Sequence, residues 1–272
     1  MKHNADAPVN RLPDRIMTYL PSTPRLLYRR RRIGGYTSIM QANSRQISSQ
    51  QTAPHSHLSY LLTRHLGTPF QKPVAACNRA AFAQFLAHWR AAGEAPLILD
   101  AGCGVGLSTR HLARSSPDCF VLGIDQSADR IARQTEWQLP LPNNFVVLRA
   151  DLVDFWRLLH DAGIGLHRHY LLYPNPWPKI GHLARRWHGH AVFPTAVALG
   201  GVIECRSNWG IYVEECAAAL RQLGVPGIEV SPFMPTAPIT PFEKKYLDSG
   251  HLLWRCRSHC PVNEPIAQMG DA

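Results

Sequence analysis

The sequence predicts an α/β fold: a doubly wound, mostly parallel sheet of seven strands, Rossmann-like, carrying a basic N-terminal extension. Three observations predict it. Short apolar runs alternate with stretches of helical apolar spacing between about residues 80 and 257, as parallel strands joined by helical crossovers require. A glycine-rich segment, Asp100-Ala101-Gly102-Cys103-Gly104-Val105-Gly106, separates the first such run from the helix after it. Apolar residues make up 45% of the 272, which is enough for one sizeable core.

The elements follow in order. Ala80 to Trp89 has helical apolar spacing. Pro96 to Asp100 is a strand and Leu107 to Arg114 a helix; Phe120 to Asp125 is a strand and Ala128 to Trp137 a helix. Phe145 to Arg149 is a strand and Leu152 to Asp161 a helix. His169 to Tyr173 forms the fourth strand, and a basic segment with a possible helix runs to about Phe193. Val202 to Cys205 is a strand, Ile211 to Leu223 a helix, and His251 to Arg257 the last strand. Residues 1–55 differ: they hold Arg29-Arg30-Arg31-Arg32 and a Ser/Gln-rich stretch from Ser44 to Thr52. They read as a mobile basic arm, leaving 56–272 as the globular domain.

Composition narrows the class. No stretch reaches the roughly 18 uninterrupted apolar residues of a membrane span. No apolar run follows Met1-Lys2-His3, so a secretory leader is not expected. The seven cysteines are an odd number and contain no Cys-x-x-Cys pair. Free, mostly buried thiols in a reducing cytoplasm are expected, with neither a disulfide framework nor a metal site. Cys256, His259 and Cys260 lie close in sequence but lack a second ligand pair. Against 29 Lys and Arg stand 19 Asp and Glu, a formal charge of +10. A polyanion, nucleic acid first, is the expected partner.

The chemistry concentrates at strand ends. In an open α/β sheet the carboxyl edge of the strands is where ligands bind. Asp100 ends the first strand there, and Gly102, Gly104 and Gly106 let the backbone turn tightly and approach a ligand closely. The spacing is Gly-x-Gly-x-Gly; in the dinucleotide fingerprint a third glycine would fall on Leu107. Asp125 ends the second strand, as an acceptor for a ribose diol would, and Asp151 follows the third, placed to accept from an adenine amino group. Three acids at successive strand ends, one beside the loop where a cationic ligand needs an anion, predict S-adenosylmethionine as cofactor. A nicotinamide dinucleotide is the alternative.

After the fourth strand comes Pro174-Asn175-Pro176-Trp177-Pro178-Lys179, then His182, Arg185 and Arg186. Three prolines exclude helix and ladder alike and stiffen the loop. Such a loop can hold an amide and an indole over a flat substrate. With this segment, Leu99-Asp100-Ala101-Gly102, Gly123-Ile124-Asp125, Asp151, Ser207-Asn208-Trp209 and Thr240-Pro241-Phe242-Glu243, the chain from Pro96 to Arg257 resembles the bacterial tRNA (guanine-N(7)-)-methyltransferase family. The resemblance implies a class I methyltransferase fold and S-adenosylmethionine bound by Asp100, Gly102, Gly104, Gly106, Asp125 and Asp151. Asn175 takes the place of the family's catalytic aspartate. Lys179, Asn208, Thr240 and Glu243 take the places of substrate-binding residues, with Trp177 shaping the base pocket and Arg185 and Arg186 on phosphate. The implied partner is RNA, tRNA first, with no membrane, for a monomer or homodimer.

Asn175 and Asn208 are amides where the family typically has carboxylates. Guanine's Watson–Crick edge presents adjacent donors that a carboxylate accepts together, whereas an amide offers one acceptor and a donor pair. A buried donor left unpaired costs about 1–3 kcal/mol. Asn175-Pro176-Trp177 also looks like the Asn-Pro-Pro-aromatic motif of enzymes that methylate exocyclic amines, so a methyltransferase of other specificity, or a non-catalytic RNA-binding relative, are the alternatives. The reading of a methyltransferase with other specificity predicts that Asn175→Asp with Asn208→Asp raises guanine methylation of tRNA about tenfold, the equivalent of ~1.4 kcal/mol. Nucleoside analysis without any gain would reject the amides as the cause of weakened guanine selection.

Overall fold

The computed structural model describes residues 44–68, 70–133 and 141–258. Seven strands form one sheet: β1 (Leu97–Ala101), β2 (Phe120–Asp125), β3 (Phe145–Arg149), β4 (Arg168–Leu172), β5 (Val202–Ser207), β6 (Glu229–Phe233) and β7 (Leu253–Arg257). Their order is β3-β2-β1-β4-β5-β7-β6. The β1–β5 pairings are parallel, and β7 runs antiparallel to both β5 and β6. This is the doubly wound, mostly parallel arrangement of seven strands that the sequence predicts.

The sheet is buried on both faces because helices cover both, so β1 and β2 are buried at every position. Side chains alternate between the two faces. Leu97 and Leu99 of β1 and Phe120, Leu122 and Ile124 of β2 enter the larger core. There they meet α1 (Leu58–Leu66), α2 (Ala76–Ala91), α5 (Leu152–Asp161), α6 (Phe193–Ala198) and α7 (Gly210–Gln222). Ile98, Val121, Tyr170 and Leu172 face the smaller core with Leu112 and Ala113 of α3 (Leu107–Ser115). Tyr246 and Leu247 of α8 (Pro241–Asp248) close that side.

Several elements depart from expectation. The helix expected over Ala128 to Trp137 is described as α4 (Ala128–Ala132), and residues 134–137 lie outside the described residues. The possible helix before Phe193 is two short 3-10 segments, Ile180–Arg185 and Trp187–Gly189, ahead of α6. Four elements were not foreseen, α6 among them. α1 lies just past the expected end of the arm. β6, Glu-Val-Ser-Pro-Phe, is an edge strand whose proline hides it. α8 starts on a Thr240 cap that accepts the Glu243 backbone N–H, with Pro241 at its first position. Arg29–Arg32, His259 and Cys260 lie outside the described residues.

Residues 44–55, part of the expected arm, are fastened to the domain. Ser49 Oγ donates to the Pro178 carbonyl at 2.6 Å, and Gln51 and the His55 N–H both donate to Glu215 Oε1 at 2.6 and 2.9 Å. Paired polar groups at both ends of this strap account for its order.

Gly123 in β2 lies under α3, where a Cβ would come within 2.4 Å of Thr109 Oγ1 and 3.1 Å of Cys103 Sγ. Gly123→Ala must therefore push α3 away from the sheet. A loss of about 1–3 kcal/mol in unfolding free energy is expected from denaturant titration.

Candidate cofactor and acceptor site

Asp100 is buried at the end of β1, and its Oδ2 accepts from the hydroxyls of Ser108 (2.6 Å) and Thr109 (2.7 Å) in the first turn of α3. Burial pushes its carboxyl up to about 6, against the lowering effect of those two hydroxyls, and Asp125 adds a further upward push. In between, the chain passes Gly102, Gly104 and Gly106 with φ of 81°, 61° and 77°. A side chain is strained in that left-handed region. A Cβ on Gly102 or Gly104 would meet no protein atom within 4 Å, so the backbone there lies open.

Asp125 ends β2 and braces the same loop. Its Oδ2 accepts the Gly104 N–H at 3.0 Å and its Oδ1 the Ser127 N–H at 2.8 Å, while half-exposed Arg130 reaches Oδ2 at 3.4 Å. A carboxylate has about four acceptor sites, so Oδ1 keeps one free and Oδ2 regains one if Arg130 swings out. Asp151 caps α5 by accepting the Val153 N–H at 2.9 Å, and its own N–H donates to Asn78 Oδ1 at 3.1 Å. Buried Asn78 also donates to Asp154 at 2.6 Å, which ties α2 to this corner. The three acids therefore stand side by side along the carboxyl edge of β1, β2 and β3.

The proline loop starts where β4 ends, next to β1. Tyr173 and Trp177 at its two ends have φ of 52° and 46°, conformations that cost on the order of 1–3 kcal/mol each and persist only when their surroundings fix them. Tyr173 is held by its hydroxyl, which donates to Glu243 Oε1 at 2.8 Å. Trp177 is held by its carbonyl, which accepts from Arg186 Nη2 at 3.1 Å. Between them Asn175 is exposed, its Oδ1 accepting the Trp177 N–H at 3.3 Å. The Arg185 guanidinium lies 4.9 Å from the centre of the Trp177 ring, with His182 edge-on to the same ring. Lys179 and Arg185 are exposed.

Arg186 corrects the expectation. It is fully buried, and its Nη1 donates to both oxygens of buried Glu215 at 2.8 and 2.6 Å. The remaining donors go to Trp177, Lys179 and Gln51. No face is left for a phosphate, because the side chain points inward to organise the loop. Glu215 also accepts from His188 at 2.8 Å. Burial would raise the Glu215 carboxyl, but the bonds from His188, Arg186 and Gln51 prevail and hold it down to about 2. Its stabilisation is present above its ordinary 4.5 and is lost as pH falls towards 2. Asp100 has the opposite sign: the folded chain holds its proton more tightly from 3.8 to about 6, so stability falls as pH rises through that window.

Glu243 is likewise enclosed. Oε1 accepts from Tyr173 and from Arg206 (2.9 Å), and Oε2 accepts the Ile239 N–H at 2.8 Å. Thr240 is buried as the cap of α8. Both are enclosed by protein at the N-terminal end of α8. Asn208, just past β5, bonds His251 Nδ1 at 3.0 Å and borders a cavity of about 160 Å³ shared with Gln46 and Trp254. Sequence reading passed over Glu215, His188, Arg206 and Gln51. Only Glu215 carries a signal, as an acid inside the apolar stretch of a helix.

Comparisons place this geometry among known proteins. A family model described as "Putative methyltransferase" matches residues 94–256. The tRNA (guanine-N(7)-)-methyltransferase of Streptomyces coelicolor is 29% identical over 171 residues, covering 58% of this chain and 61% of the relative. Its counterpart from Polaromonas sp. is 29% identical over 177 residues, covering 59% and 69%. The chain thus spans 61% and 69% of the length of these two relatives. Among solved structures, the 16S rRNA methyltransferase KamB is 17% identical with a TM-score of 0.44, over 70% of this chain and 96% of that one. An antibiotic-related methyltransferase is 13% identical with a TM-score of 0.45, over 70% and 96%.

Two neighbouring arginines should behave oppositely. Arg186→Met leaves Glu215 buried without its ion-pair partner and is expected to cost about 3–5 kcal/mol in chemical denaturation. Arg185→Ala is expected to change stability by no more than about 0.5 kcal/mol. Equal stability losses in the two variants would contradict the assignment.

Proposed function

The chain belongs to the methyltransferase family whose model spans residues 94–256, and from that premise we propose that it transfers a methyl group from S-adenosylmethionine to RNA, with N(7) of a tRNA guanine as acceptor. One observation carries the reading: three carboxylates line the ends of β1–β3, and the proline loop and Asn208 sit at the ends of the adjoining β4 and β5. Donor and acceptor would meet where β1 neighbours β4, the point at which the strand order reverses. The Streptomyces coelicolor and Polaromonas relatives, both tRNA (guanine-N(7)-)-methyltransferases, support this choice of acceptor.

The residues fit the cofactor. Open backbone at Gly102 and Gly104 leaves space beside the loop, Asp100 offers charge to a cation, Asp125 retains acceptor capacity for a ribose, and Asp151 stands by β3 for a base amine. When bound, S-adenosylmethionine supplies a methyl group activated on a sulfonium. Nitrogen 7 of guanine has a lone pair and no proton to lose, so no general base is needed. The chain's task is then alignment and exclusion of competing orientations. Trp177, fixed at both backbone and ring, offers a face for the base, and Asn175 a single amide beside it. Exposed Lys179 and Arg185 supply cations for the phosphates, in keeping with a net charge of +10.

Purified protein incubated with labelled S-adenosylmethionine and unmodified tRNA is expected to yield 7-methylguanosine. A different methylated nucleoside would overturn the guanine N(7) assignment, and no methylated product would overturn methyl transfer to tRNA. Binding of the cofactor alone is expected to strengthen as pH rises through about 6, because the ionised form of Asp100 favours a cation. Isothermal titration at several pH values measures this, and an Asp100→Asn variant should lose the dependence.

A further inference from the structure

Cys205, Cys216 and Cys256 come from three different elements and meet in the core. Cys205 of β5 and Cys256 of β7 are direct cross-strand partners, and α7, which carries Cys216, packs on both strands. Their sulfur atoms all lie within 4.8 Å of one another, and the three residues are 0%, 1% and 0% exposed. Sequence spacing gives no hint of this: the residues are 11 and 40 positions apart.

We propose that these three thiols form a binding site for one thiophilic divalent cation of the zinc or cadmium kind. A Zn–S bond is about 2.3 Å, which puts sulfurs around a common zinc at roughly 3.8–4.0 Å apart, so less than an ångström of closure converts the triad into a coordination shell. Soft thiolates select such ions over the hard, oxygen-seeking ones. Binding releases three protons, one from each thiol, and leaves three metal–sulfur bonds with one net negative charge. A basic chain tolerates that charge better than an acidic one.

A second observation concerns Glu215, the residue before Cys216 on α7. His188 is completely buried, its Nε2 bonds Glu215 at 2.8 Å, and its Nδ1 has no hydrogen-bond partner. Tyr212 packs against this ring at 4.6 Å between ring centres. An ion held here would staple β5, β7 and α7 together, one residue along α7 from Glu215. Because the sulfurs are sealed from solvent, the ion is taken up as the chain folds.

The test uses the full chain, unfolded under reducing conditions and refolded with zinc or cadmium chloride. After gel filtration, elemental analysis is expected to find one ion per chain, with a thiolate-to-cadmium charge-transfer band in the ultraviolet. Cys216→Ala should lower retention at least tenfold, and the triple Ala variant at positions 205, 216 and 256 should abolish it. Circular dichroism reports whether each variant folds. If the triple variant does not, the wild-type band and stoichiometry, and the tenfold loss in the single variant, still decide. Wild-type protein that folds without retaining an ion, retention unchanged by Cys216→Ala, or a disulfide formed within the triad would each overturn the proposal.

Discussion

The buried Arg186–Glu215 pair is the constraint on which the acceptor half of this molecule depends. Isolated, either charge would cost several kcal/mol in the interior. Together, and surrounded by polar partners, they fix three segments at once. Arg186 holds the Trp177 and Lys179 carbonyls and so one end of the proline loop. Glu215 holds Gln51 and the His55 backbone, which seats the strap of residues 44–55, and His188 on the following turn. The guanidinium also stacks on Trp209, next to Asn208. One ion pair thus joins the ends of β4 and β5 to the N-terminal strap.

A second enclosed carboxylate does the same for the other end of the loop. Glu243 binds Tyr173, Arg206 and the Ile239 N–H together, and Arg206 reaches on to Glu204 at 2.7 Å. The left-handed backbone at Tyr173 and Trp177 is thereby held by a buried ion pair at each end. A loop stiffened by three prolines needs such anchoring. Its rigidity becomes useful only if its ends cannot drift, since misplacement of about 1 Å costs orders of magnitude in alignment.

The cofactor half is built on different physics. There the backbone, not an ion pair, forms the surface: the glycine turn is braced from below by Asp125 through the Gly104 N–H and anchored by Asp100 through the α3 hydroxyls. Burial raises the Asp100 carboxyl to about 6, so a cation beside it would favour its ionised form. The two halves adjoin along β1 and β4, so a single sheet carries both with little shared machinery.

By itself the sequence determined the sheet's parallel core, the glycine turn and the three acids at strand ends, because these are local: each is a periodicity followed by a turn. It also located the proline loop, since three prolines act on their own neighbours whatever the rest of the chain does. It could not reveal β6, where one proline in an edge strand erases the pattern, nor α8, whose short amphipathic run is defined by its cap. The inward turn of Arg186 was decided by tertiary structure, because Glu215, 29 positions away, supplies the charge that draws it in. Arg185 beside it has the same chemistry and stays in solvent. The meeting of Cys205, Cys216 and Cys256 was decided in the same way. Antiparallel pairing of β5 with β7, and the packing of α7 over both, are contacts between distant segments, and no spacing along the chain encodes them.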